Sequence, residues 1–170
     1  VKDKLLSTLV FPWDSEVSAG VFKRAGYLWI VFDKAKDIDI NNIIAKNSEY
    51  FASGKQLSNR FYTILRIKLK DDINTVAYKD GDSWVVGLVT DKIELVKTTK
   101  IDMRFSDLQG SQVTLDSDSQ LKQLRLIDEE VGDEIIIVPF ADESIGTKER
   151  YKYIDFALLE TTQGAVIQII

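Results

Sequence analysis

Oxygen is the one reactive atom this chain carries in quantity. Its 170 residues include no histidine and no cysteine, while aspartate and glutamate together number 27. That removes imidazole bases, Ser-His-Asp triads, thiolate nucleophiles, disulfides, Fe–S clusters and the usual zinc and copper sites. Any catalysis would have to run on carboxylates, lysine or tyrosine. The densest oxygen set is Asp128-Glu129-Glu130-Val131-Gly132-Asp133-Glu134, and Asp116-Ser117-Asp118 is a smaller one. Calcium asks for about six to eight oxygens on a flexible loop, but the alternating ligands of an EF-hand are missing from both. Charged turn tips that keep hairpins soluble account for them more simply. Two carboxylates about 5 to 10 Å apart would also suit a glycosidase, so carboxylate-dependent glycan processing stands as an alternative function. Nothing in the sequence singles out one acid pair. Gly-x-Ser-x-Gly, P-loop and Gly-x-Gly-x-x-Gly patterns are absent, and no cofactor or metal is expected.

Binding chemistry has a better foothold. Between Arg60 and Lys70, basic residues Arg60, Arg66, Lys68 and Lys70 share alternate positions with Tyr62 and Ile64. In a strand those positions fall on one face, giving a basic and aromatic stripe about 30 Å long. Phe61, Thr63, Leu65, Ile67 and Leu69 fall on the other face, toward a core. The stripe suits an acidic partner or cell-wall polymer; its competing reading is an edge that salt-bridges to neighbouring strands. Of the three tryptophans, Trp29 and Trp84 lie in Ile/Val-rich runs and read as core. Trp13 follows Phe11-Pro12 outside any regular pattern and is the expected exposed aromatic. The binding set is therefore Arg60, Tyr62, Arg66, Lys68 and Trp13.

The balance of charge narrows the partners. A net charge of −5 is the wrong sign for a nucleic-acid binder and for an anionic membrane surface. No apolar run approaches the roughly 18 to 20 residues of a membrane-spanning helix, so no membrane insertion is expected in this segment. The 45% hydrophobic and 29% charged fractions are those of a folded domain with a real core. The start at Val1 and the apolar end Val166–Ile170 read as the bounds of a piece of a longer protein.

Positioning these residues falls to hairpins. Gly26, Gly81, Gly110, Gly132 and Gly164 each close a polar or mixed turn, and an apolar or alternating run opens three residues later. Glycine supplies the positive φ that tight hairpins need. Gly26-x-x-Trp29-Ile30-Val31 and Gly81-x-x-Trp84-Val85-Val86 are similar enough, 55 residues apart, to suggest a duplication within 10–90. Between them Asp39 or Asn41 can cap a helix reaching about Ala52, stopped at Gly54. Further strands are expected at Ile93–Lys97, Ile101–Phe105, Val113–Leu115, Leu124–Ile127, Ile135–Pro139, Tyr151–Leu159 and Ala165–Ile169. The fold expected is mainly β: one module over 1–170, an antiparallel sandwich or barrel-like sheets built from hairpins. It has one short helix near 40–52 and a sub-boundary near 98–100.

Val21-Phe22-Lys23-Arg24-x-Gly26-x-Leu28-Trp29-Ile30-Val31-Phe32-Asp33 resembles a motif of β-rich modules in large alphaproteobacterial envelope proteins, where tetratricopeptide-like repeats accompany them. Ile64-Leu65-Arg66 before Trp84-Val85-Val86 fits the same pattern. So do Asp128-x-x-Val131-Gly132-Asp133 before Val138-Pro139 and Phe156-x-Leu158-Leu159-x-x-x-Gln163-Gly164. The aromatic-basic hairpin ending in Phe32-Asp33 is more loosely similar to AMIN domains, which place envelope proteins on peptidoglycan. The resemblance implies a periplasmic or cell-envelope location and a non-catalytic role. The function expected is thus an interaction or scaffolding module binding another protein or peptidoglycan. A glycan-processing enzyme and a structural spacer are the alternatives.

Overall fold

A computed structural model describes residues 5–91 and 121–170 in full. Between them it describes only the backbone course of the strands at 97–98, 101–106 and 110–115. The strands in chain order are β1 (Leu5–Phe11), β2 (Ala19–Arg24), β3 (Tyr27–Phe32), β4 (Phe51–Leu57), β5 (Thr63–Leu69), β6 (Asn74–Asp80), β7 (Ser83–Val89), β8 (Lys97–Thr98), β9 (Ile101–Ser106), β10 (Gly110–Leu115), β11 (Leu124–Asp128), β12 (Asp133–Val138), β13 (Ile145–Gly146), β14 (Tyr151–Lys152), β15 (Phe156–Leu158) and β16 (Ala165–Ile169). One helix, α1 (Ile40–Lys46), follows β3. The fold is mainly β, as its turn grammar predicts. The expected strand at 93–97 lies largely outside the described residues, as do Asp116–Asp118 and most of the proposed boundary.

Three antiparallel sheets stack into layers, none of them closed into a barrel. A three-stranded sheet has the order β1-β7-β6, a four-stranded sheet β2-β3-β5-β4, and a five-stranded sheet β11-β12-β16-β15-β14. The four-stranded sheet is the middle layer. Its Ala19, Val21, Leu28, Ile30, Phe32, Leu65 and Ile67 pack against Leu9, Phe11, Trp84, Val86 and Leu88 of the three-stranded sheet. Its Phe22, Trp29, Val31 and Ile64 pack against Leu124, Ile135, Ile137 and Val166 of the five-stranded sheet. An antiparallel sheet usually keeps one face in water. Burial of both faces is why Tyr27–Phe32 runs apolar without alternation, and why β5 is buried from Thr63 through Ile67. The expectation of a wet face on that strand is corrected at Ile64 and Arg66, which meet the five-stranded sheet and its acidic turn, while Lys68 stays exposed. Phe61 departs in the opposite sense, because the strand begins at Thr63 and Phe61 is left 68% exposed.

The helix is shorter than its periodicity suggests. Asp39 caps it by accepting from the Asn42 N–H at 3.2 Å, and it ends at Asn47, whose N–H bonds to the Ile44 carbonyl. Gly54 does not stop it. Gly54 lies in β4 beneath the helix, where a Cβ would sit 2.9 Å from Ile44 Cδ1. The run Tyr151–Leu159 is likewise two strands, folded at a turn in which the Tyr153 N–H bonds to the Phe156 carbonyl.

The two tryptophan hairpins are built differently. Ala25 and Gly26, both at positive φ, join Arg24 to Tyr27, and Trp29 pairs with Phe22. In the second hairpin Gly81 and Asp82 form the turn and Trp84 pairs with Lys79. That shift of one residue turns Trp29 toward the five-stranded sheet and Trp84 toward the four-stranded one. Gly-x-x-Trp is thus a shared turn motif whose two tryptophans serve different cores.

Candidate functional site

The two charge clusters that stand out in the sequence meet each other. On the face of the four-stranded sheet toward the five-stranded sheet, cross-strand register sets Arg24 beside Tyr27 and Tyr27 beside Lys68. The next row sets Phe22 beside Trp29, Trp29 beside Arg66 and Arg66 beside Lys55. The acidic turn between β11 and β12 closes over this end of the sheet. The Arg24 guanidinium donates from Nη1 to Asp128 Oδ2 at 2.5 Å and from Nη2 to Asp133 Oδ2. Arg66 lies 3.9 Å from Asp128 and 3.6 Å from Glu130, and Lys55 lies 3.9 Å from Glu129. Arg66 is 4% exposed and stacks over Tyr27 and Trp29 at 5.2 and 5.7 Å from their ring centres.

The turn is itself held for this task. Asp128 accepts the Glu130 N–H at 3.0 Å through its side chain and the Gly132 N–H through its carbonyl. Gln168 donates to Asp133 at 2.7 Å from the neighbouring strand. The hydrogen bond from Arg24 holds the Asp133 carboxyl below the usual carboxylate range. Burial opposes the Arg24 charge, but its two carboxylates outweigh burial and raise its pKa above the ordinary arginine value. The acids at 128–134 offered as a catalytic or calcium-binding set are therefore matched to arginines and, for Glu129, to Lys55. Among the described residues, no group of three or more acidic side chains is placed to hold a metal ion.

The five residues expected to bind do not form one surface. Arg66 is a correction: its partner is the acidic turn of its own chain. Trp13 is a second correction. It is 8% exposed, tilted against Phe32 with ring centres 4.9 Å apart, and Lys36 Nζ lies over its ring, 5.2 Å from the centre. Lys68 is exposed at the far end of β5, five residues beyond Thr63, where the strand begins. Arg60 and Tyr62 stay together on the turn before β5.

That turn presents a large aromatic side chain, Phe61, on a braced backbone. Asn59 Oδ1 accepts the Phe61 and Tyr62 N–H groups at 2.9 and 3.1 Å, an Asx turn that fixes the backbone. The Tyr62 hydroxyl donates to the Gln123 carbonyl at 3.2 Å, tying the turn to the chain entering β11. Burial, with a smaller contribution from the Asp33 carboxylate, raises the Tyr62 pKa. Phe61 projects into water with the Arg60 guanidinium 5.6 Å over its ring. Period-2 reading assigned Phe61 to the core. The signal that could have placed it outside was Ser58-Asn59, a turn pair just ahead of it.

Comparison with protein-family models, curated proteins and solved structures finds no match to this chain. Among the described residues no helix is long and apolar enough to cross a membrane.

Proposed function

We propose that this chain is a non-catalytic interaction and scaffolding module of a bacterial cell-envelope protein, and that it binds another protein or the cell wall through the Arg60–Phe61–Tyr62 turn. The observation that carries this reading is Phe61, 68% exposed on a backbone fixed by Asn59. An aromatic beside an arginine on a rigid support is the composition of a binding hot spot, because little side-chain or loop entropy is lost on contact. The motif resemblance supports the envelope and periplasmic location. Glycan processing would ask for an acid held protonated near neutral pH. Asp133 is shifted the other way by its pair with Arg24, so it is not suited to be that acid.

The test is co-sedimentation with purified peptidoglycan and a pulldown from envelope extract, comparing wild type with Arg60→Glu/Phe61→Ala. Retention of wild type and at least a tenfold loss in the variant is expected. Equal retention would remove this turn as the site. Retention of neither would favour a spacer, and release of soluble sugar fragments by the pure domain would overturn the non-catalytic reading.

A further inference from the structure

The edge strands of the three sheets are treated unequally. The β2 edge is stitched by bridges from Ala19 to Phe140 and from Val21 to Gln163. β4 carries Lys55, a bulge at Phe51/Ser53 and the helix packed on Gly54. β6 carries Lys79 and Asp80, and its Lys79 N–H is taken by Glu143 at 2.6 Å. β11 carries Arg125, and β14 is two residues long with Lys152. These are the usual protections of an open edge.

Strand β1 has fewer. Its seven residues, Leu-Leu-Ser-Thr-Leu-Val-Phe, hold no charge and no proline. It pairs with β7 on one side, and no described strand borders the other. Leu6 is 40% and Val10 58% exposed, with Thr8 exposed between them. The protection it does have is a bulge between Leu5 and Ser7, which leaves Leu6 without a partner on β7.

We infer that β1 is a self-association edge: two copies pair β1 antiparallel across a two-fold axis at Thr8 and join two three-stranded sheets into one of six. A row of open backbone donors and acceptors is completed by another strand, and an uncharged row by an uncharged one. Among the described residues, β1 meets that description on the side away from β7. Leu6 and Val10 stand equally far on either side of Thr8. An axis there sets Leu6 of one copy against Val10 of the other, twice, so each covers the other's exposed surface. The Thr8 pair at the centre is a favourable cross-strand combination. An axis through one patch is the isologous contact of a closed dimer, so association stops at two.

Sedimentation equilibrium at micromolar concentration tests this, independently of any envelope ligand. Wild type is expected at twice the chain mass. Val10→Lys, which changes an exposed side chain, is expected to raise the dimer Kd at least tenfold with an unchanged circular dichroism spectrum. Thr8→Cys is expected to cross-link with a short bis-maleimide, in a chain that otherwise lacks cysteine. A monomeric wild type, or a Val10→Lys dimer as tight as wild type, overturns the inference. Failure of Thr8→Cys to cross-link overturns the axis at Thr8.

Discussion

Arginine 66 shows how much a single residue's role depends on what faces it. Between Leu65 and Ile67 in a basic run, it has the pattern of a solvated strand face. The acidic turn across the sheet interface makes it an interior cation stacked on two aromatic rings. Arg24 is the tighter half of the same lock, with side-chain exposures of 9% for Arg24 and 2% for Asp128. Replacing Arg24 with Met leaves Asp128 buried without its closest cation, which costs about 3 to 5 kcal/mol by the usual penalty for breaking such a pair. Urea titration of Arg24→Met measures it. The pH dependence has a definite sign. Asp133 has its folded pKa lowered by Arg24, so the stability it contributes is present above its unfolded pKa of about 3.9. That contribution is lost as pH falls through the folded value. The stability gap between wild type and Arg24→Met should therefore narrow on acidification below about pH 4. A gap constant down to pH 2 would refute the ion-pair account.

Elements succeed here where local signals and packing agree. The two-residue turns at Ala25–Gly26 and Gly81–Asp82 set the hairpins, and packing then chooses which core each tryptophan enters. Trp29 stacks on Phe22 with ring centres 5.6 Å apart, between the four- and five-stranded sheets. Trp84 donates its indole N–H to the Val17 carbonyl at 2.7 Å on the other side. Both are 1% exposed. Either changed to Ala should cost about 3 to 5 kcal/mol. Trp84→Phe separates the two contributions: it keeps most of the apolar burial but leaves the Val17 carbonyl unpaired, at about 1 to 3 kcal/mol. Denaturant midpoints of the three variants check this. A Trp84→Phe midpoint equal to wild type would remove the hydrogen bond from the account.

At the scale of the whole molecule, the chain leading into the five-stranded sheet meets the edge of the middle sheet at a buried glutamine. Gln163 is 0% exposed. Its side chain donates to the Phe140 and Asp142 carbonyls at 3.2 and 2.6 Å and accepts the Ile145 N–H at 3.2 Å. Its own carbonyl accepts the Val21 N–H at 2.9 Å from the edge of the middle sheet. Thr75 and Thr162 add a hydroxyl contact of 2.6 Å between the three-stranded sheet and the same loop. Gln163→Leu keeps the bulk and removes the partner of the Asp142 carbonyl and the Ile145 N–H, while the Phe140 carbonyl keeps the Ala19 N–H, so a loss of at least about 2 kcal/mol is expected at about 1 to 3 kcal/mol per group. Because the middle sheet is buried by both neighbours, unfolding should remain a single transition followed equally by tryptophan fluorescence and far-UV circular dichroism. Separate transitions would show that the layers fold independently.

Turn chemistry, the antiparallel hairpins of the three main sheets and the core positions of Trp29 and Trp84 are legible in the order of residues. They rest on local causes: positive φ at Gly26 and Gly81, and runs of β-branched and aromatic side chains. The Asp39 cap is legible for the same reason. The burial of Arg66 and Trp13, the exposure of Phe61 and the joining role of Gln163 are not. Each depends on contacts between residues far apart in the chain, such as Arg24 with Asp128 or Gln163 with Phe140. A period-2 pattern says which side chains share a face, but not whether water or another sheet lies over that face. For the middle sheet it was another sheet on both sides, and that third layer turned Ile64 and Arg66, the middle of a candidate binding stripe, into part of the interior.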